Sequence, residues 1–447
     1  MPSAPFEVQP YRLLRRSGVV TELLGTVLRA RGVSARVGER CIVRSHAAGH
    51  RVETDAEVVG VQRDELLLMP YGGLQGLGLD AQVHPTGQPL LLPVGSGLLG
   101  RVVDACGRPL DARGPVEQPY WQVDLHHTPP NPMTRSRIRD VFPTGVRSID
   151  MLCTVGQGQR VGIFAPAGVG KSVLLGMLTR RSECDVAVVA LIGERGREVR
   201  EFVEDNLGAK GLARAVVVVA TADSGAIERT RAALAATAIA EHFRDRGQRV
   251  LLLVDSLTRF ARAQREIGLA RGEPPTRRGY PPSLFAVLPQ LLERAGNSDA
   301  GTLTAFYTVL VEDEVTPDPV AEEVRSLLDG HLVLSRRQAE RGLYPALDAN
   351  ASLSRLMSAI APPWQLKAAT RVRELLARRS DAEMLVQMGE YKRGQDDLTD
   401  EALDRAAAID ALLRQPTDAI TVADENERML CAASGVSPGD AAGSSGS

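Results

Sequence analysis

The run Arg160 to Phe164 leads without a break into Ala165-Pro166-Ala167-Gly168-Val169-Gly170-Lys171-Ser172, and the helical pattern Val173 to Leu178 follows it. A loop between strand and helix whose glycines let backbone N–H groups converge is a ready anion site at the positive end of the helix. Gly168 and Gly170 supply the unhindered turns, Lys171 reaches the β- and γ-phosphates, and the Ser172 hydroxyl ligates Mg²⁺. Residues Ala167, Gly168, Val169, Gly170, Lys171, Ser172 and Val173 therefore read as a phosphate cradle for ATP. Ala165 stands where the strict pattern has Gly, so the flanking strand and helix carry weight. So does the lysine: it is one of four, with Lys210, Lys367 and Lys392, in a chain that otherwise uses Arg.

A phosphate loop requires a parallel sheet around it, and the middle of the chain alternates β-branched runs of strand length with longer helical patterns. The strands expected are Arg160 to Phe164, Asp185 to Ile192, Ala215 to Thr221, Arg249 to Val254 and Thr302 to Val311, apolar on both faces as strands covered on two sides are. One of them ends in a lone carboxylate, Asp255. By itself such an Asp is a turn or cap residue; downstream of a phosphate loop it reads as the second Mg²⁺ residue. Another runs into Gly193-Glu194-Arg195-Gly196-Arg197-Glu198. Glu194 would stand at the carboxyl edge of the sheet, where ligands bind in open α/β folds, as a base or water-orienting group. In the alternative reading Glu194 and Glu198 only pair with Arg195 and Arg197 on a solvated helix start.

Outside this region no chemistry is visible. Thr26 to Leu28, Cys41 to Val43, Ala56 to Val61 and Glu65 to Met69 alternate apolar and polar residues between Gly-rich turns, which suits a small β-barrel or sandwich. Residues 93 to 130 read as a crossover loop rich in Pro and Gly turns. After Pro362 and Pro363 the pattern turns helical over Leu366 to Ala377, Ala382 to Glu390 and Ala402 to Leu413. The expected limits are an extension at 1–17, a barrel domain at 18–92, an ATPase domain at 93–361, a helical domain at 362–433 and a disordered tail at 434–447.

Composition narrows the partners. The chain has 447 residues, 44% hydrophobic and 24% charged, as a soluble globular protein does. Its apolar runs fall far short of the roughly 20 residues of a membrane-spanning helix, and no apolar signal core opens the sequence, so a cytoplasmic location is expected. A formal net charge of -2 gives no basic footprint, and no nucleic-acid partner is expected. Residues 1–50 hold eight Arg against three Glu, a face for an acidic partner, a membrane surface or solvent. The five cysteines are scattered, without zinc spacing or a disulfide framework.

Several longer motifs carry a family likeness. Gly193 to Phe202 resembles the Gly-Glu-Arg-Gly-Arg-Glu-Val-Arg-Glu-Phe element of flagellar and virulence-associated type III export ATPases, relatives of the F1 catalytic subunit. Pro143 to Arg147, Asp255 to Ala261, Gly272 to Ser283, Leu328 to His331 and Tyr344 to Asp348 resemble the same family, over about residues 20 to 415. The resemblance implies an α/β fold with a central RecA/F1-like P-loop domain of parallel sheet, a small N-terminal β-barrel and a C-terminal α-helical domain. It implies that Lys171 binds phosphates, that Ser172 and Asp255 hold Mg²⁺ and that Glu194 polarises the attacking water. Arg195 and Arg259 match arginines near the γ-phosphate, Tyr344 matches the aromatic that stacks on adenine, and Arg355 matches an arginine finger. A finger acts at a neighbour's γ-phosphate, so a homohexameric ring is implied. Implied too are a central stalk in the ring, a stator or regulatory protein at the N-terminus, secretion chaperones and exported substrates, and a bacterial setting peripheral to the inner membrane. The competing readings are a Rho-like RNA-translocating ring, a rotary synthase subunit and a silent ring member. Within the family, Pro275 to Ser283, Val311 to Asp313 and Val324 to Asp329 lean to the virulence injectisome branch.

Overall fold

A computed structural model describes residues 17–47, 50–116, 121–311, 318–420 and 422–441. The N-terminal extension through residue 16, with the first part of the Arg-rich stretch, lies outside the described residues, as do Glu312 and Asp313 and the final residues 442–447.

Six strands, β1 (Gly18–Leu24), β2 (Val27–Arg31), β3 (Glu39–Ala47), β4 (His50–Gln62), β5 (Glu65–Pro70) and β6 (Gln82–Pro89), close into a barrel in the order β1-β2-β5-β4-β3-β6. The period-two alternation puts Val20, Leu28, Cys41, Val43, Val58, Leu68 and Val83 inside it. Of the two architectures the sequence allowed, the barrel is the one formed.

The segment expected as a crossover loop holds structure of its own. β7 (Leu92–Val94) pairs with β9 (Trp121–Val123), and β8 (Val102–Asp104) joins the central sheet beside the strand Ala215–Thr221. These strands are three residues long, too short for a periodic signal. β8 is fastened by Arg101, whose Nε and Nη2 donate to both oxygens of Asp111 at 2.8 and 2.9 Å, while Asp111 Oδ2 also accepts from Val102 N at 3.0 Å. The Arg101 bonds, against the opposing effect of burial, hold the Asp111 carboxyl well below the usual carboxylate range. A depressed carboxylate pKa contributes stability that is complete above its unfolded value and lost as pH falls below about 4. Asp111→Ala removes the carboxylate from a buried guanidinium that keeps carbonyl partners such as Gly114 O, and we expect it to lower the unfolding free energy at neutral pH by about 3 kcal/mol, read as a shift of the urea midpoint.

The remaining sheet strands are β10 (Arg160–Ala165), β11 (Val186–Glu194), β12 (Ala215–Thr221), β13 (Arg249–Asp255), β14 (Thr302–Leu310), β15 (Gly330–Leu334) and β16 (Leu347–Ser354). The sheet order is β16-β15-β10-β14-β13-β11-β12-β8, parallel throughout except for the antiparallel β16 edge. Both faces are covered. Ala187, Val189 and Leu191 look into one core with the P-loop helix Lys171–Arg181, and Val186, Val188, Ala190 and Ile192 into another with the helix Ala226–Arg244.

The barrel is bolted to this layer. Val27, Val59, Leu67, Met69 and Tyr71 share a core with Ala226, Ile227, Ala263 and Ile267 of two sheet-covering helices. Arg231, 4% exposed, donates from the helix Ala226–Arg244 to the carbonyls of Leu90 at 2.6 Å and Ala105 at 3.1 Å.

The C-terminal region is helical, with differences from the sequence pattern: the expected helix Ala402 to Leu413 is broken at Arg405, and a further helix, Ala423–Ser434, follows it. The first two expected helices are one, Pro363–Gln387, because Arg378 to Asp381 continue the turn and Arg379 pairs with Asp410 at 2.8 Å. The helices Asp397–Asp404, Ala406–Leu413 and Ala423–Ser434 complete it, followed by a 3-10 turn at Pro438–Ala441 where a disordered tail was expected to be under way. No described helix is long and apolar enough to cross a membrane.

Candidate active site

β10 ends where its buried run Val161 to Ala165 meets Pro166, and the chain then turns through two left-handed glycines, Gly168 at φ +83° and Gly170 at φ +87°. An L side chain is strained there, which explains the glycines. The helix Lys171–Arg181 starts immediately after Gly170. Its first N–H groups have no intrahelical acceptor and face an open loop in which Ala167 and Gly168 are exposed. Val169, 2% exposed, anchors the loop in the core beneath.

Two strands bring charge to this cradle and a third brings a hydroxyl. The Lys171 ammonium ion-pairs with Asp255 at the end of β13 and lies 3.5 Å from Glu194 Oε1 at the end of β11. Leu191 and Asp255 are register partners, so both carboxylates stand at one sheet edge. Asp255 Oδ1 also accepts from Thr308 Oγ1 of β14 at 2.7 Å. The side chains of Lys171, Glu194 and Asp255 are 12%, 15% and 3% exposed. Burial pushes the Glu194 carboxyl above its ordinary pKa, and the adjacent Asp255 adds to the shift while Lys171 opposes it. Burial by itself would lower the Lys171 pKa, but Asp255 and Glu194 outweigh it and hold the ammonium above its ordinary value. The cluster is thus a protonated lysine between two carboxylates under a free N–H cradle.

Arg259 joins this cluster from behind. Gly193 has φ +68°, and a Cβ on it would lie 3.1 Å from Cβ and Cγ of Arg259, so the hinge before Glu194 rests on that side chain. Arg259 Nε is buried without a hydrogen-bond partner, a donor in want of an anionic oxygen. Tyr344 is beside the loop: a Cβ on Gly170 would be 3.5 Å from its Cδ1, and the ring is half exposed, leaving a face open to a flat ligand.

Arg195 and Arg355 are elsewhere. The Arg195 side chain is 82% exposed and meets Glu198 at 3.5 Å. Arg355 follows β16, whose Ser354 is register partner to Gly330 at the start of β15, and its N–H donates to Asp329 O, which also accepts from Gln159. That is the N-terminal edge of β10, about 20 Å along the strand from the phosphate loop.

The site suits a magnesium nucleotide. No group of three or more His, Cys, Asp or Glu side chains able to cage a metal occurs among the described residues. Mg²⁺ does not need one, since it is commonly held by one or two protein oxygens together with phosphate and water. Ser172, exposed at the first helical turn, and Asp255 are the residues that would supply those oxygens. The sequence did not single out Thr308 or Gly193; a threonine near the carboxyl end of the strand-length run Leu303 to Leu310 and a glycine directly before a strand-end Glu are the signals that mark them.

Comparison with known proteins agrees with this geometry. Residues 145–354 match the ATP synthase alpha/beta family nucleotide-binding domain, and residues 361–432 match the T3SS EscN ATPase C-terminal domain. The chain is 56% identical to the type 3 secretion system ATPase of Xanthomonas euvesicatoria over 416 residues, 93% of each chain. It is 47% identical to the flagellum-specific ATP synthase of Bacillus subtilis over 421 residues, 94% of this chain and 96% of that one. Among solved structures, the assembled ATPase EscN in complex with its central stalk EscO, from the enteropathogenic E. coli type III secretion system, superposes with a TM-score of 0.84 at 42% identity, covering 92% of this chain and 98% of that one. With the barrel, the F1-like sheet and the helical domain all in place, the chain belongs to the family of type III secretion system and flagellum-specific ATPases, and it is an ATPase.

Proposed function

We propose that this chain hydrolyses MgATP within a homohexameric ring to power a virulence type III secretion apparatus, releasing chaperones from exported substrates and unfolding those substrates. The observation that carries the hydrolytic part is the buried Lys171–Asp255–Glu194 cluster beneath the open N–H cradle. ATP phosphates take up the N–H groups of residues 168 to 173, and Lys171 exchanges its carboxylate partners for β- and γ-phosphate oxygens. Ser172 and Asp255 would hold Mg²⁺, which when bound would supply positive charge against those phosphates. Glu194, released from Lys171, accepts a hydrogen bond from the attacking water and orients it in line with the γ-phosphorus. Arg259 donates its unused Nε, Arg195 closes over the phosphate from its exposed position, and Tyr344 stacks on adenine.

The ring is supported by where Arg355 stands, at the sheet edge opposite its own phosphate loop, and by the assembled relative. A central stalk in the ring is supported by the same relative. A stator or regulatory protein at the N-terminus, a cytoplasmic location peripheral to the inner membrane and the domain limits 1–17, 18–92, 93–361, 362–433 and 434–447 belong to the same proposal. The injectisome branch is favoured over the flagellar one by the 56% identity to the Xanthomonas euvesicatoria protein, against 47 to 49% to the flagellar relatives.

Lys171→Ala removes the one ammonium in the site. We expect it to weaken nucleotide binding and to cut Mg²⁺-dependent hydrolysis by more than about a hundredfold, measured by phosphate release and by titration with a fluorescent ATP analogue. Near-normal turnover would sink the assignment. RNA-stimulated hydrolysis would instead revive the Rho-like reading.

A further inference from the structure

After the helix Ala406–Leu413, residues 414–420 run as a short irregular strap that holds the supports of the phosphate loop at several points. Gln415, 3% exposed, engages its backbone N–H and both ends of its side-chain amide. Its backbone N–H donates to the Tyr344 carbonyl at 2.8 Å. Its Nε2 donates to the Gly145 carbonyl at 2.9 Å, and its Oε1 accepts from Arg147 N at 2.8 Å. Further along the strap, the Thr417 carbonyl accepts from Arg180 at 3.1 Å and also from Arg181, and the Ala419 carbonyl accepts from Arg181.

These contacts close a circuit. Arg180 and Arg181 are the last residues of the P-loop helix, which is about 16 Å long. Gly145 packs on the same end, since a Cβ there would fall 2.5 Å from Arg181 Cβ. At the other end Gly170 lies against the Tyr344 ring. One strap of the helical domain therefore grips the helix at its C-terminus and the nucleotide-facing Tyr344 at its N-terminus. A buried amide that only filled space would leave a donor or acceptor unused at a cost, whereas this one spends both on a separate segment of chain.

We propose that Gln415 is a positioning residue: by locking the helical domain to Gly145 and Arg147 it holds Tyr344 against Gly170, so the seating of the helical domain sets nucleotide affinity and base preference without touching the hydrolytic cluster. The proposal rests on Tyr344 being the adenine wall. It deepens that reading by making the wall dependent on a residue of another domain.

The test is steady-state kinetics of the assembled full-length enzyme with MgATP and MgGTP, for Gln415→Ala, Gln415→Met, Tyr344→Ala and the Gln415→Ala/Tyr344→Ala double variant. Met fills the site without its hydrogen bonds and carries the test should the Ala variant fold poorly. The Gln415 variants are expected to raise the KM for ATP roughly tenfold with kcat within about twofold, and to narrow the preference for ATP over GTP. The double variant should be no worse than Tyr344→Ala, because both changes act through one contact. A wild-type KM in Gln415→Met, an equal loss of kcat with both nucleotides, or additive effects in the double variant would each overturn the positioning role while leaving the adenine wall standing. A Tyr344→Ala enzyme with unchanged KM and unchanged base preference would remove the wall itself, and the proposal with it.

Discussion

Glu194→Gln is expected to reduce steady-state ATP hydrolysis by about 10²- to 10⁴-fold while nucleotide binding survives. The amide has the size of the carboxylate and stays at the end of β11, so the sheet edge is preserved. What it loses is the ability to accept a proton or polarise water, and Lys171 loses one of its two counter-charges. With one negative charge fewer beside the phosphates, the affinity for ATP should equal or exceed that of the wild type. Phosphate release gives the first quantity and fluorescent-nucleotide titration the second. Turnover within a few-fold of wild type would show that another group handles the water.

Arg355→Ala should be nearly as severe, about 10³-fold or more in kcat, with ATP binding unaffected because the substituted residue is far from its own phosphate loop. The sharper result comes from mixing. Lys171→Ala subunits have a dead cradle and an intact Arg355; Arg355→Ala subunits have the reverse. Each alone is inactive, but in a head-to-tail ring an equal mixture unites an intact cradle with an intact arginine at about a quarter of the sites. Recovery of activity on mixing is the expected outcome. Mixed rings that remain inactive would place the needed arginine within the same subunit or assign Arg355 another task.

How much of this was legible in the sequence depends on whether a residue's role is local. The phosphate loop, the strand ending in Asp255 and the strand leading to Glu194 are each written in contiguous residues, since a parallel strand covered on both faces must be an unbroken apolar run. Their meeting at Lys171 follows from ordinary parallel topology. The barrel's period-two strands were visible for the same reason, although β1 and β6, with weaker alternation, were not. β15, β16 and β8 were missed because the first two alternate on a half-covered edge and the third is three residues long. Thr308 and Gln415 were missed on different grounds. Nothing adjacent to them in the chain shows that one meets Asp255 across a strand, or that the other reaches back some 270 residues to Gly145. Arg355 could be named only through family likeness, because nothing near it in the chain marks the role proposed for it at another subunit's site.

The way the barrel is joined to the sheet has a mechanical result. The chain leaving the barrel contributes β8 to the far edge of the ATPase sheet, and Arg231 nails the base of the barrel to the helix covering that sheet. Such a joint has no swivel. The barrel is a handle cast in one piece with the sheet, so a force applied to it is carried through that joint to the strands whose ends hold the catalytic cluster.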